Sequence, residues 1–223
     1  HPTTCILPAI LALGQKIGAT GRDLLEAYVV GCEVGVALQR AVKVDLIDRG
    51  FHRTVIFGRL ASAAACAKLL GLDQRQTTMA LGIAGSSAGG LVSNHGTMTK
   101  PLHAGQTARD GTMAAQLVQK GFGSGKSTLE HPGGFVAAFF GEFTGGLQEM
   151  ADNLGKPFLT PKVLTIKKYP CCGGNHSALD SLLGLMREHK FDYRDVEIVE
   201  VDAAAGVMMY SEPEDGLQGK FSI

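Results

Sequence analysis

Residues 54–72, TVIFGRLASAAACAKLLGL, are the segment that decides the fold. Apolar and small residues fill nearly every position, and alanine stands where bulky side chains usually occur in a helix. Because small side chains let neighbouring helix axes approach closely, the segment predicts a helix that packs against others along its length. The sequence therefore indicates that residues 54–72 form one helix of a helical bundle.

Two further segments extend this bundle. Residues 20–42, TGRDLLEAYVVGCEVGVALQRAV, begin with Thr20 and Asp23 at the spacing of a capping box, followed by apolar residues at helical spacing. Residues 72–91, LDQRQTTMALGIAGSSAGGL, begin with Asp73 and Gln76 in the same relation. We expect a helical bundle with no strands from Thr20 to Gly121, and we expect Gly121 to follow the last helix.

Residues 121–128, GFGSGKST, invite comparison with a nucleotide-binding loop. A P-loop has the pattern G-x-x-x-x-G-K-[ST] and follows a buried strand. Here Lys120 occupies the position of the first glycine, and the preceding residues predict a helix. The pattern therefore argues against an ATP or GTP site.

Composition excludes several classes of function. Lys and Arg total 21 and Asp and Glu total 21, so no net charge draws the chain to nucleic acid or to an acidic membrane surface. No apolar run reaches the roughly 18 residues that indicate a membrane span. The hydrophobic fraction of 45% is typical of a folded protein. We expect no nucleic-acid partner and no membrane association.

The cysteines indicate a reducing compartment. Their number is odd and none has C-x-x-C spacing. Two are adjacent, and adjacent cysteines rarely form an unstrained disulfide. They are Cys5, Cys32, Cys66, Cys171 and Cys172. With no signal-peptide pattern at the start, free thiols predict a cytoplasmic protein without a zinc or iron–sulfur site.

The composition changes near residue 160. Residues 163–170, VLTIKKYP, and 195–203, DVEIVEVDA, predict strands, and residues 175–189 between them predict an amphipathic helix capped by Asn175. We therefore predict a mainly α fold, with a large all-helical domain at 1–158 and the start of a smaller α/β (α+β) domain at 159–223. The ends HPTT and GKFSI lead us to expect an incomplete segment of a longer polypeptide.

Three clusters of basic residues lie in turn-prone segments beside predicted helices. They are RGFHRT at 49–54, NHGTMTKPLHAGQTAR at 94–109 and KKYPCCGGNHSALD at 167–180. Helix starts favour anions, and a His or Lys that titrates near neutral pH suits proton transfer beside a carboxylate. The clusters therefore predict a carboxylate site, although in a plainer interpretation Thr54 caps a helix and the basic side chains are solvated.

The same clusters carry a family resemblance. Residues 49–91, 96–122 and 167–182 resemble the MmgE/PrpD family in order and spacing, and TMTKPLHAG is a specific stretch. The family includes 2-methylcitrate dehydratases, cis-aconitate decarboxylases and iminodisuccinate epimerases. The resemblance implies a large helical domain, a smaller α/β lid domain, an active site between them, a homodimer, and no metal or organic cofactor.

The resemblance also implies the site residues and the substrate class. The matching positions are His1 in HPTT, His52 in GFHRT, Lys100 and His103 in TKPLH, and Lys167 in KKYP. We expect Lys100, Lys167 and Arg109 to bind carboxylates of a di- or tricarboxylate, and His52 or His103 to move the proton.

The resemblance leaves the reaction open. Dehydratase, decarboxylase and epimerase activities share a carbanion-like centre beside a carboxylate, and the TKPLH form favours the last two. In the family motif an aspartate and a threonine precede the histidine that matches His1, and neither is in this segment. The alternative is therefore a catalytically silent member that binds a carboxylate or a protein partner.

Overall fold

The computed structural model describes residues 1–42, 44–141 and 146–202. In these ranges the regular structure is helical and no strand is present, which confirms the prediction of a mainly α fold. The α-helices are α1 (Pro2–Ile17), α2 (Gly21–Ala41), α3 (Arg53–Leu69), α4 (Gln74–Ser86), α5 (Thr99–Gln119), α6 (Phe135–Phe140), α7 (Leu147–Asn153), α8 (Thr160–Val163) and α9 (His176–His189). Short 3-10 helices are Val92–Asn94, Gly173–Asn175 and Tyr193–Asp195. None of the helices in these ranges is both long and apolar enough to span a membrane.

The chain divides into two compact units. The first comprises His1–Ser93 and Thr99–Leu164, and the second comprises Asn94–Met98 and the residues from Thr165 onward. Helices α1 to α8 belong to the first unit and α9 to the second. The predicted domain boundary between residues 158 and 159 stays a prediction, and residues 203–223 of the predicted second domain lie outside the described ranges.

Helix α3 is the core of the first unit. Every residue from Val55 to Ala67 is buried, and α1, α2, α4 and α5 pack around the helix. The packing is so close that a Cβ atom on Gly58 would lie 2.6 Å from Cys5 Sγ and 3.1 Å from Thr107 Cγ2. The close packing that the small residues predict is therefore confirmed, and the structure adds that this helix is central.

The predicted helix ends are confirmed at three places. Thr20 Oγ1 accepts a hydrogen bond from the Asp23 N–H at 3.3 Å, and the Asp23 carboxylate accepts one from the Thr20 N–H at 2.9 Å. Asp73 and Gln76 form the same reciprocal pair at the start of α4. Gly121 follows α5 with φ of 90°, the left-handed conformation that ends many helices.

The two strand predictions in the later part of the chain are wrong for the described residues. Residues 164–170 and 196–202 are irregular, and Tyr193–Asp195 is a 3-10 helix. A strand needs a neighbour to bond its backbone, yet Ile166 and Ile198 are 98% and 73% exposed. The helix between them is confirmed, although the side chain of Asn175, at the N-cap position, makes no capping hydrogen bond.

A buried carboxylate from α2 binds the start of α8. Glu33 is 3% exposed and accepts hydrogen bonds from the N–H groups of Leu159 at 2.9 Å and Thr160 at 2.6 Å, and from the Thr160 hydroxyl. Burial alone would raise the pKa of Glu33, but these hydrogen bonds outweigh burial and the pKa is lowered. An ionised carboxylate therefore ties α8 to α2.

Candidate active site

Helices α1, α3 and α5 run in the same direction. At one level, Gly58 of α3 lies against Cys5 of α1 and Thr107 of α5. Eight residues further along each helix, one buried cluster contains Leu13, Cys66 and Ala115. Because equal steps along the three helices lead to a second common level, the three N-terminal ends lie at the same end of the first unit.

These N-terminal ends carry four of the predicted site residues. His1 is the N-cap of α1, His52 is the N-cap of α3, and Lys100 and His103 lie in the first turns of α5. The backbone N–H groups and the dipole at a helix start favour negative charge. This end of the unit is therefore electrostatically suited to a carboxylate.

His52 and His103 are in direct contact. Their Nδ1 atoms are 3.4 Å apart and their ring centroids 5.6 Å apart, and the residues are 5% and 8% exposed. The Nδ1 contact is a hydrogen bond when one nitrogen carries the proton and the other is bare, so at least one ring is neutral. Burial lowers the pKa of His103, and the nearby Arg59 guanidinium lowers it further. The lowered pKa favours the neutral imidazole of His103, which is able to accept a proton.

Backbone pairing holds His52 at the start of α3. Its N–H donates to the Gly90 carbonyl at 3.0 Å, beside an antiparallel bridge between Phe51 and Leu91. This pairing keeps His52 extended, and α3 begins at the next residue. The interpretation in which Thr54 caps the helix is therefore wrong, because the N-cap is His52.

A buried ion pair lies two helical turns further along the same two helices. Arg59 Nε is 3.0 Å from Asp110 Oδ2, with side chains 7% and 5% exposed. Neither residue is among the predicted site residues, although the sequence contains a signal for both. Arg59 stands seven residues after His52, and Asp110 stands seven residues after His103, so each shares a helix face with a predicted site residue. A charge inside a small, apolar run is a second sign, because buried charges are usually paired.

Arg109 and Lys167 have other partners in the structure. The Arg109 side chain is 67% exposed and donates to Asp110 Oδ1 from Nε at 2.9 Å and from Nη2 at 2.7 Å. Lys167 is an exposed residue of the second unit, and its ammonium donates to the Cys171 carbonyl at 2.5 Å. Their roles in carboxylate binding stay predictions.

The other sequence motifs are structural in the described residues. The segment GFGSGKST follows α5 and not a strand, and the Ser124 hydroxyl donates to the Met79 carbonyl at 2.9 Å. The five cysteines are free thiols, as predicted, and burial raises the pKa of Cys66 to about 11. Within the described ranges, no three His, Cys, Asp or Glu side chains are grouped as metal ligands.

Comparison with known proteins assigns the family. A family model described as the MmgE/PrpD N-terminal domain matches residues 1–148. The chain belongs to the MmgE/PrpD family. This match confirms the resemblance seen in the basic clusters, and it contains His1, His52, Lys100, His103 and Arg109.

Several curated relatives of this MmgE/PrpD chain have names that refer to cis-aconitate decarboxylase. The cis-aconitate decarboxylase of Homo sapiens is 38% identical over 149 residues, which are 65% of this chain and 31% of the relative. The cis-aconitate decarboxylase-like protein oryM of Aspergillus oryzae is 32% identical over 203 residues, 85% of this chain and 42% of the relative. The cis-aconitate decarboxylase of Aspergillus terreus is 31% identical over 201 residues, 85% of this chain and 41% of the relative. The chain thus spans less than half the length of these relatives.

Proposed function

We propose that this MmgE/PrpD chain is part of a lyase or isomerase that moves a proton at a carbon beside a carboxylate of a di- or tricarboxylate. The observation that carries the proposal is the His52–His103 contact at the end of the first unit where three helices begin. The helix starts attract the anionic substrate, and a neutral His103 accepts the proton that the reaction moves. No metal or organic cofactor takes part in the proposed chemistry.

Among the family reactions we favour decarboxylation of cis-aconitate. The names of the relatives and the TKPLH form of residues 99–103 support this choice. In this step a carbon–carbon bond to one carboxylate breaks and CO₂ leaves, and the electron pair remains on the adjacent allylic carbons. One histidine of the pair, after accepting a proton from water, delivers that proton to one of those carbons, which completes the product.

We assign roles to the predicted residues on their positions. Lys100 lies three residues before His103, on the same side of α5, and binds a carboxylate beside the histidine pair. His52 and His103 hold and deliver the proton, and His1, at the start of α1, is a further catalytic residue. Arg109 and Lys167 are assigned to other substrate carboxylates on the predicted pattern.

The reaction is tested with the intact protein in D₂O. NMR spectra follow 2-methylcitrate, citrate, cis-aconitate and iminodisuccinate, each incubated separately with the enzyme. Loss of CO₂ from cis-aconitate, with one deuterium in the product, is the expected result. Elimination of water or exchange without carbon loss would instead assign the dehydratase or epimerase reaction. Silence across the panel from folded protein would contradict the proposal and favour a catalytically silent, ligand-binding member.

The roles of the histidines are tested by single substitutions. His52→Gln and His103→Gln should each lower turnover by about a hundredfold or more, because general acid–base groups contribute on that scale. His189→Gln, at the exposed end of α9, is the matched control and should leave turnover unchanged. Wild-type turnover in both site variants would remove the pair from the mechanism.

We also propose that the protein is a cytoplasmic homodimer. The family resemblance supports the dimer, and the five free thiols support a reducing compartment. Light scattering of the intact protein measures the dimer, and a monomeric mass at micromolar concentration would contradict it. Fractionation of the source cells tests the location.

A further inference from the structure

We infer that Arg59 and Asp110 are positioning residues of the proposed proton-transfer site, and that they act through the Gly89–Gly90 backbone on His52 and His103. The inference rests on the proposed function for its catalytic meaning. Its structural part, the link from a buried ion pair to a histidine pair, rests on contacts within the first unit alone.

The two residue pairs, which we call rungs, lie at successive levels of the interface between α3 and α5. His52 contacts His103, and Arg59 contacts Asp110, and the partners of both pairs are 51 residues apart. Because α3 and α5 run in the same direction, the rungs are separated by seven residues, or about 10 Å, on each helix. The ion pair therefore fixes the position and rotation of α5 relative to α3, and this arrangement brings the two imidazoles together.

Arg59 also binds the segment that lies against the histidines. Its Nη1 donates to the Gly89 carbonyl at 2.7 Å, and the next carbonyl, of Gly90, accepts the His52 N–H at 3.0 Å. Two consecutive carbonyls are thus bonded to α3, one near its middle and one at its start. Asp110 orients the guanidinium that makes the first of these bonds.

The Gly89–Gly90 segment has little freedom on the side that faces the histidines. Gly90 has a φ of 126°, which favours glycine, and a Cβ atom there would lie 2.7 Å from Val55 Cγ2 and 3.5 Å from His103 Nδ1. A Cβ atom on Gly89 would have nothing within 4 Å. A shift of the Gly89 carbonyl is therefore transmitted to the His103 ring through Gly90.

The same arginine sets the charge beside His103. The charged or titratable groups on the helices around His103 include His52 and Arg59 of α3, Lys100, Arg109 and Asp110 of α5, and Cys5 of α1. Residues 87–91 carry no ionisable side chain. Burial lowers the pKa of His103 first, and Arg59 adds to the effect, so removal of the guanidinium raises this pKa.

A purely structural ion pair would behave differently from a positioning one. Buried ion pairs can often be replaced by well-packed apolar residues without loss of stability, whereas removal of one partner leaves a buried charge unpaired. The double variant Arg59→Met/Asp110→Leu removes both charges and keeps much of the volume. It therefore separates a stabilising role from a positioning one.

The experiment compares this double variant with wild type in the intact protein. Circular dichroism checks the fold, NMR of the His103 Cε1–H group measures its pKa, and steady-state kinetics measure kcat and KM. We expect folded protein, a changed His103 pKa, and a kcat lowered by at least about tenfold with KM changed by less than about threefold. Arg22→Met, whose side chain is 88% exposed on α2, is the control and should change none of these values.

The inference would be overturned if the double variant folds and has an unchanged His103 pKa and the wild-type kcat. If the double variant does not fold, Arg59→Lys and Gly90→Ala decide the question, with Gly21→Ala at the start of α2 as the control in open space. We expect lowered kcat in the first two and not in Gly21→Ala, and wild-type kcat in all three would overturn the inference. If wild type turns over no substrate, the proposed function fails, but the His103 pKa in the variants still tests the coupling.

Discussion

Helices α3 and α9 are both predicted by the sequence, yet the structure surrounds them very differently. Helix α3 is buried from Val55 to Ala67, with four helices packed around it. Helix α9 contains no buried residue, and Leu183 and Leu185 are 39% and 48% exposed. The difference shows that a pattern which forms a helix does not by itself determine where the helix packs. The position of α3 is fixed by contacts with four neighbouring helices, and these contacts hold His52 and Arg59 in position.

The largest effect should come from leucine truncation in the two helices. Leu60→Ala in α3 removes a fully buried side chain and should lower the free energy of unfolding by about 2–5 kcal/mol, because it leaves a cavity. Leu185→Ala in α9 is the matched substitution and should cost less than about 0.5 kcal/mol. Urea denaturation measures both values. Equal losses of unfolding free energy would show that α9 is buried as fully as α3.

The next effect concerns the closeness of α3 and α5. A Cβ atom on Gly111 would lie 2.7 Å from the Ala63 nitrogen and 2.8 Å from the Ser62 carbonyl carbon. Because backbone atoms cannot rotate aside, Gly111→Ala should cost about 1–3 kcal/mol. Gly105→Ala is the control on the same helix, where a Cβ atom has nothing within 4 Å. If Gly111→Ala is no less stable than Gly105→Ala in thermal unfolding, the helices are not in such close contact.

Glu33→Gln tests whether one buried carboxylate fixes the position of the short helix α8. The amide cannot accept all the hydrogen bonds of the carboxylate, so we expect a loss of about 1–3 kcal/mol. The folded pKa of Glu33 lies below its ordinary value of 4.5, so its contribution is complete above that pH and is lost as the pH falls through the folded value.

Unfolding measured between pH 3 and pH 7 tests the direction of this dependence. The variant should lose part of the acid-induced destabilisation that wild type shows. Glu149→Gln, on the exposed surface of α7, is the control and should retain the wild-type dependence. Identical pH curves for wild type and Glu33→Gln would contradict the role of this carboxylate.

The smallest effect is expected in α9. Gly184 lies inside the helix, and a Cβ atom there would meet nothing within 4 Å. Gly184→Ala should therefore stabilise α9 by about 0.5–1 kcal/mol through reduced backbone freedom in the unfolded chain. Hydrogen exchange of the α9 amides measures this change. Slower exchange is expected, and faster exchange would show that another group occupies the space beside Gly184.

Local signals in the sequence predicted the helical part of the fold. The capping boxes at Thr20 and Asp73 and the glycine at 121 depend on residues a few positions apart, and all three are confirmed. The strand predictions failed because a strand requires a partner, and the alternating pattern of residues 195–203 does not contain one. Local patterns are therefore reliable where the bonding partners are also local.

The candidate site could be predicted only residue by residue. The sequence placed His52 and His103 near separate helix starts, but their contact joins residues 51 positions apart and depends on the parallel packing of α3 and α5. Arg59 and Asp110 were missed for the same reason, since neither residue has its partner nearby in the sequence. His1 and Lys100 lie at the starts of α1 and α5, Lys167 belongs to the second unit, and the roles of all three stay predictions.

The seven-residue spacing of the two rungs limits how this protein can change in length. One residue inserted between positions 103 and 110, or between 52 and 59, would turn one rung by about 100° relative to the other and separate one pair of partners. An insertion in the turns between α5 and α6 would leave both helices unchanged. Insertions and deletions that preserve function are therefore expected within 121–134 and not within the two seven-residue stretches.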